Sequence, residues 1–265
     1  MKFLSLFWST IMLRPYVFAF FVLFFISAVR SLGWKRSLVF TLLAGGIAFS
    51  AEYSSTRIGF PFGLYHYIEA TRNQEIWVFN IPFMDSLSFT FVAYASYALA
   101  LHLCRSQKKG HVLLLSALLF VLLDIVIDPL ALRGDRWFLG KIYYYPEGGL
   151  YFGVPLANFF GWGVVGFSIT GLFQTLDRRL GGRDKTKTLP GLGGSFLYFL
   201  ILLSGVGMTF YIGEPLLGAI GLLLSLSPLA AFFYRLKGQL QAADHISQIT
   251  DIQLERGGRD LKSGV

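Results

Sequence analysis

The segment HVLLLSALLFVLLDIVIDPLAL, residues 111–132, contains no Lys or Arg, and its only acids are Asp124 and Asp128. A membrane-crossing helix needs about 20 mostly apolar residues, and this run supplies them. Working outward, six more runs have the same character: 14–30, 37–55, 81–103, 151–176, 195–212 and 215–234. The pattern predicts an all-α, polytopic membrane helix bundle of about seven transmembrane helices. Residues 1–234 form the transmembrane domain and 235–265 a polar cytoplasmic tail. In the tail, Leu236, Leu240, Ile246, Ile249 and Ile252 are spaced for a short surface helix, with a poorly ordered segment as the alternative.

Composition agrees. The chain of 265 residues is 54% hydrophobic and 14% charged, where soluble domains carry about 25% charge. Mean hydropathy is +0.58. The net charge of +8 raises nucleic acid as a partner, but the basic residues sit in short clusters between apolar runs: Arg30, Lys35, Arg36; Arg105, Lys108, Lys109; Arg178, Arg179, Arg183, Lys185, Lys187. That is the pattern of cytoplasmic loops, and no nucleic acid is expected. The single Cys104 excludes an internal disulfide and a cysteine-based metal site. The first apolar run lacks a small-residue cleavage site and reads as a retained helix.

Lys and Arg in short loops set orientation. The clusters follow spans one, three and five, and Arg235 and Lys237 follow span seven. This places the N-terminus outside and the C-terminus inside the cell membrane, with Lys2 and Arg14 as weak contrary votes. Two outer stretches, 57–80 and 133–150, are rich in Gly, Pro and aromatics, including Tyr143-Tyr144-Tyr145. They fit either an interfacial aromatic belt or a folded lid over an apolar entrance.

Inside the spans the ionisable residues are Glu52, Asp85, Asp124 and Asp128, with no Lys or Arg deep enough to neutralise them. A charged Asp facing lipid costs about 2.5–3.5 kcal/mol on insertion scales, so these side chains must face inward, share protons or meet water. All four fall in the same half of the membrane, whichever way the chain is inserted. Asp124 and Asp128 are one turn apart on one helix face, and two neighbouring carboxyls can share a proton. The alternative for this pair is a helix end capped by Arg133 or Arg136. Asn158 and Trp162 repeat the one-turn spacing; Asn158 can orient a water or a carboxyl, while Trp162 and Tyr151 offer π-faces to a cation. His66 is the one histidine near this side. There is no Gly-Lys-Ser/Thr phosphate loop, no His-Glu-x-x-His helix, and no Lys in span seven for a retinal Schiff base.

Glu52-Tyr53, Gly59-Phe60-Pro61-Phe62-Gly63-Leu64-Tyr65-His66-Tyr67, Asp124-Ile125-Val126-Ile127-Asp128-Pro129 and Tyr151-Phe152-Gly153-Val154-Pro155-Leu156-Ala157-Asn158-Phe159-Phe160-Gly161-Trp162 resemble blocks of the membrane carotenoid 1,2-hydratase family. The resemblance covers roughly residues 45 to 170. It implies acid-catalysed addition of water to the terminal double bond of an acyclic ψ-end carotenoid, through a tertiary carbocation and without a cofactor. It implies catalytic roles for Asp124, Asp128, Glu52 and Asn158. Tyr65, Tyr67, Tyr151, Trp162 and His66 would contact substrate; Asp85 lies outside the matching blocks and joins them by its depth in the membrane alone. The implied partners are a hydrophobic carotenoid, membrane lipid and other enzymes of the pathway. A membrane prenyltransferase, a carotenoid cyclase and a non-enzymatic carotenoid or lipid carrier are the competing readings.

Overall fold

In the computed structural model, residues 2–104, 108–180 and 192–260 are described, with side chains over 3–104, 108–180 and 192–241. Arg105, Arg183, Lys185 and Lys187 lie outside the described residues, as do the side chains of His245, Ile246, Ile249 and Ile252. The helices are α1 (Lys2–Leu13), α2 (Pro15–Leu32), α3 (Trp34–Ile58), α4 (Phe83–Leu103), α5 (Lys109–Ala131), α6 (Leu156–Arg179), α7 (Leu192–Tyr211) and α8 (Pro215–Asp260). Among the described residues, seven helices, α2 to α8, are long and apolar enough to cross a membrane; for α8 the apolar part is Pro215–Gln241. The helical bundle expected from the sequence is therefore the fold. The chain divides into two compact units, Met1–Ser225 and Leu226–Val265, and the site described below lies in the first.

Three boundaries differ from the hydropathy pattern. The fifth span begins at Leu156 and not at 151, because Tyr151 and Val154 form an antiparallel bridge and extended Pro155 precedes the first turn. The helix of the seventh span, α8, continues through the tail to Asp260. The short helix α1 precedes the first span; its 12 residues are too few to cross a bilayer, so it left no mark in a search for spans.

The centre of the bundle is α4. Every residue from Phe89 to Ala100 is buried, and the helix packs against α2, α3, α5 and α7. Lipid tails remove most of the hydrophobic drive between helices, so close packing of small side chains takes its place. Ala93, Ala95, Ser96, Ala98 and Ala100 supply that packing.

At one end of the bundle the two aromatic stretches fold into a lid. α3 stops at Gly59, whose left-handed backbone (φ +77) lets its N–H reach the Ser55 carbonyl. Four short strands follow: β1 (His66–Tyr67), β2 (Trp77–Val78), β3 (Ile81–Pro82) and β4 (Tyr143–Tyr144). β1 pairs antiparallel with β4, His66 opposite Tyr144 and Tyr67 opposite Tyr143; β2 pairs with β3. Both loops are ordered through backbone hydrogen bonds as well as aromatic contacts, which is the folded-lid arrangement.

Candidate active site

Three helices bring acids to the lid, and a fourth brings an amide. Glu52 lies near the end of α3, Asp85 at the start of α4, Asp124 and Asp128 in the last turns of α5, and Asn158 in the first turn of α6. Glu52, Asp85, Asp128 and Asn158 line a single cavity of about 420 Å³, with Tyr65, Tyr67 and Trp162.

Asp128 is held by two tyrosine hydroxyls. Tyr143 Oη donates to its Oδ1 at 2.8 Å and Tyr145 Oη to its Oδ2 at 3.2 Å. Asp124 lies behind it, fully buried and outside the cavity lining. Asn158 Nδ2 donates to Asp124 Oδ2 at 2.7 Å, while Asp124 Oδ1 has no donor. The two carboxyls are one turn apart on the same face of α5, which makes them neighbours. A proton held between them would satisfy the orphaned oxygen.

Glu52 is the counterpart across the cavity. Tyr67 Oη donates to its Oε1 at 2.8 Å, and Ser86 Oγ donates to its Oε2. Asp85 is half-buried and reached from the cavity.

Between the two acid groups stand four tyrosines. Strand geometry explains why. Side chains alternate along a strand, so with β1 paired to β4, Tyr65, Tyr67, Tyr143 and Tyr145 all face inward. Tyr65 meets Tyr143 and Tyr145 with ring centroids 5.5 and 5.7 Å apart, and the Tyr65 and Tyr67 hydroxyls are 3.5 Å apart. Burial, and then Asp128, pushes the Tyr143 and Tyr145 hydroxyls far above the ordinary phenol range. Burial, then Glu52 for Tyr65 and Asp85 for Tyr67, does the same there. All four remain O–H donors at working pH. Trp162 completes the wall, stacked on Phe89 and tilted against Phe120, both at 4.6 Å. Gly161 beside it has no room for a Cβ, which would sit 2.6 Å from Phe62 and 2.7 Å from the Pro61 carbonyl oxygen; this close approach seats the lid on α6.

The same alternation turns His66 outward, against Tyr144 at 5.8 Å; it does not line the cavity. Tyr151 is also absent from the lining; it packs on Phe152 and Phe159, on the Asp124 side. Asp85, placed by depth alone, is in the cavity. Arg133 does cap α5, donating to the Pro129 carbonyl at 2.9 Å. Its charge goes to Glu214 at 2.9 Å, so the cap and the acid pair coexist.

Sequence reasoning missed Tyr143, Tyr145, Ser86 and Arg14. The Tyr-x-Tyr spacing, repeated at 65–67 and 143–145, was the available signal for two facing strands. Arg14 is not a stray topology vote. It is buried, paired with Glu75 at 3.1 Å and donating to the Leu139 carbonyl at 2.6 Å, so it ties the start of α2 to both lid loops.

The family model described as carotenoid biosynthesis protein matches residues 11–228. The chain belongs to the carotenoid biosynthesis protein family. Among curated proteins it is similar to bisanhydrobacterioruberin hydratase of Haloarcula japonica, 28% identical over 166 residues, which is 62% of this chain. The chain spans about half of that relative, 53% of its length. No solved structure matches. In this carotenoid biosynthesis protein the matched residues include both lid loops, the four acids and all four inward tyrosines. Its seven apolar helices and its family both fit a hydrophobic substrate and membrane lipid.

Proposed function

We propose that this protein is a cofactor-independent hydro-lyase that adds water across the terminal 1,2 double bond of an acyclic ψ-end carotenoid. The observation that carries the reading is the pair of facing acid groups with four tyrosine rings between them. A hydration needs an acid on one side, a base for the attacking water on the other, and a face that stabilises the cation.

The Asp124/Asp128 pair holds one proton. It passes to C2, the alkene π electrons form the new C–H bond, and the positive charge is left on tertiary C1. The hydroxyls of Tyr143 and Tyr145 and the Asn158 amide stabilise the carboxylate left behind. The rings of Tyr65, Tyr67 and Trp162 present π-faces to the cation. A water then gives its lone pair to C1, and Glu52, held by Tyr67 and Ser86, takes the surplus proton with Asp85 beside it. The sum is addition of one water. The Tyr67–Tyr65 hydroxyl pair lies on the route by which the proton returns to the Asp pair. Asn158 therefore acts through Asp124, and Glu52 orients the water.

The test is co-expression with a lycopene or γ-carotene pathway, followed by pigment extraction and mass measurement. The expected product is heavier by about 18 Da. Unchanged mass with a new ring marks cyclisation, and an added C5 unit marks prenyl transfer; either result overturns hydration. Full hydration by both Asp124→Asn and Asp128→Asn overturns the residue assignment.

We further propose that the acid end faces outward in the cell membrane, with residues 1–234 as the transmembrane domain and 235–265 as a cytoplasmic tail. Arg14, buried in an ion pair, no longer counts against this orientation. A C-terminal green fluorescent protein fusion is expected to fluoresce and an alkaline phosphatase fusion to stay inactive.

A further inference from the structure

The acid cavity extends to the interface between α2 and α7, where Val17 and Phe20 face Ser204 and Met208. A second cavity, of about 540 Å³, lies between the same two helices, with Leu23 and Ile26 on α2 and Leu197 and Leu200 on α7. Residue numbers rise on α2 as they fall on α7, so the helices run antiparallel and the two cavities lie end to end in one interhelical cleft. At its far end Arg30 is part of the wall, and the Ser27 and Ser31 hydroxyls meet Tyr94 Oη at 3.1 and 2.7 Å.

From Val17 to Arg30 the cleft runs about 20 Å at about 1.5 Å per residue. The hydrocarbon core of a bilayer is about 30 Å thick. The cleft therefore crosses the midplane, starting at acids on one side and ending at polar groups near the other. A phospholipid acyl chain occupies one leaflet of about 15 Å and carries its headgroup at the surface, so it fills only part of this path. A straight apolar molecule that spans the bilayer fills it all. Leu23, Ile26 and Leu200 are exposed along the cleft, so such a molecule reaches it sideways from the lipid.

We propose that the α2/α7 cleft binds the long polyene chain of the substrate lengthwise across the membrane. Its reacting end lies among the acids and its distal end beside Ser27, Ser31 and Arg30. This rests on the reading of the substrate as a carotenoid; the cleft itself is independent of the hydration chemistry.

The experiment uses full-length Asp128→Asn protein, in which turnover is expected to be slowed, purified in detergent from a lycopene-producing host. Bound pigment per protein is read by absorbance. Adding Leu23→Trp and Leu200→Trp fills the cleft and is expected to lower bound pigment about tenfold or more. Leu118→Trp, on the exposed face of α5, leaves it unchanged. Should the double tryptophan variant fail to fold, as judged by its elution and melting, Leu23→Phe with Leu200→Phe replaces it, with a smaller loss in the same direction. Undiminished pigment in the filled variant overturns the cleft while leaving the hydration reading intact. Absence of pigment from the Asp128→Asn parent overturns both the cleft and the carotenoid reading.

Discussion

Glu75 and Asp128 are both buried carboxyls, one within the lid and one beneath it, and they are held in opposite ways. Glu75 has a cation: Arg14 reaches both of its oxygens, at 3.1 and 3.3 Å, and Thr71 adds a hydroxyl. Asp128 has only hydroxyls, from Tyr143 and Tyr145, and a second carboxyl behind it. A cation supplies a full opposite charge and fixes the pair as structure. Neutral donors stabilise a carboxylate without adding charge, so the number of protons on the Asp pair stays free to change. Chemistry belongs at the second kind of site and anchoring at the first.

Substitutions on each side separate the two. The largest effect is expected at Asp128. Asp128→Asn keeps the shape and lowers hydrated product by about 10²- to 10⁴-fold, with little change in thermal unfolding measured in detergent. Arg14→Met acts the other way round. It strands Glu75 and lowers stability by about 3–5 kcal/mol, and the double change Arg14→Met with Glu75→Leu regains most of that loss. If Arg14→Met melts like the wild type, Glu75 is not anchored as described. Tyr143→Phe removes one of the two hydroxyls on Asp128, an interaction of about 1–2 kcal/mol; product formation is expected to fall several-fold while the fold persists.

The smallest effect concerns Glu214. Hydrogen bonds from Arg133, then Arg136, hold its carboxyl below the usual range. A lowered folded pKa gives stability that is present above the ordinary carboxylate range and lost as pH falls through the lowered value. The pair is partly open to solvent, so the contribution is under about 1 kcal/mol. Wild type is expected to melt slightly above Glu214→Gln at neutral pH, and the gap to close in acid. A gap that widens in acid reverses the sign and removes the pair as its cause.

The spans were legible because each is a long apolar run, and a single residue in the wrong place does not hide such a run. The acids were legible as a group because cost in lipid makes each conspicuous, and depth along the span survives without a structure. The tyrosine cage was not. A strand of two residues, such as His66–Tyr67 or Tyr143–Tyr144, is too short for its alternation to stand out from an aromatic loop. Arg14 was misread because its sequence position, at the edge of an apolar run, is also where snorkelling residues sit. His66 was given substrate contact on the strength of its neighbours, and period-two geometry sends it the other way. Tyr151 fell in a recognised block, but the bridge to Val154 puts it in a turn outside the cavity.

The pairing of His66 with Tyr144 constrains how the lid can change length. Inserting or deleting one residue between Gly63 and Tyr65, or between Lys141 and Tyr143, would swap inner for outer side chains along that strand. Two tyrosines would leave the cage together. Changes of two residues would preserve the facing. Tolerated length variation in either loop should therefore come in even steps close to the strands and in any step at their outer ends, a pattern that a library of loop insertions scored by pigment colour would expose directly.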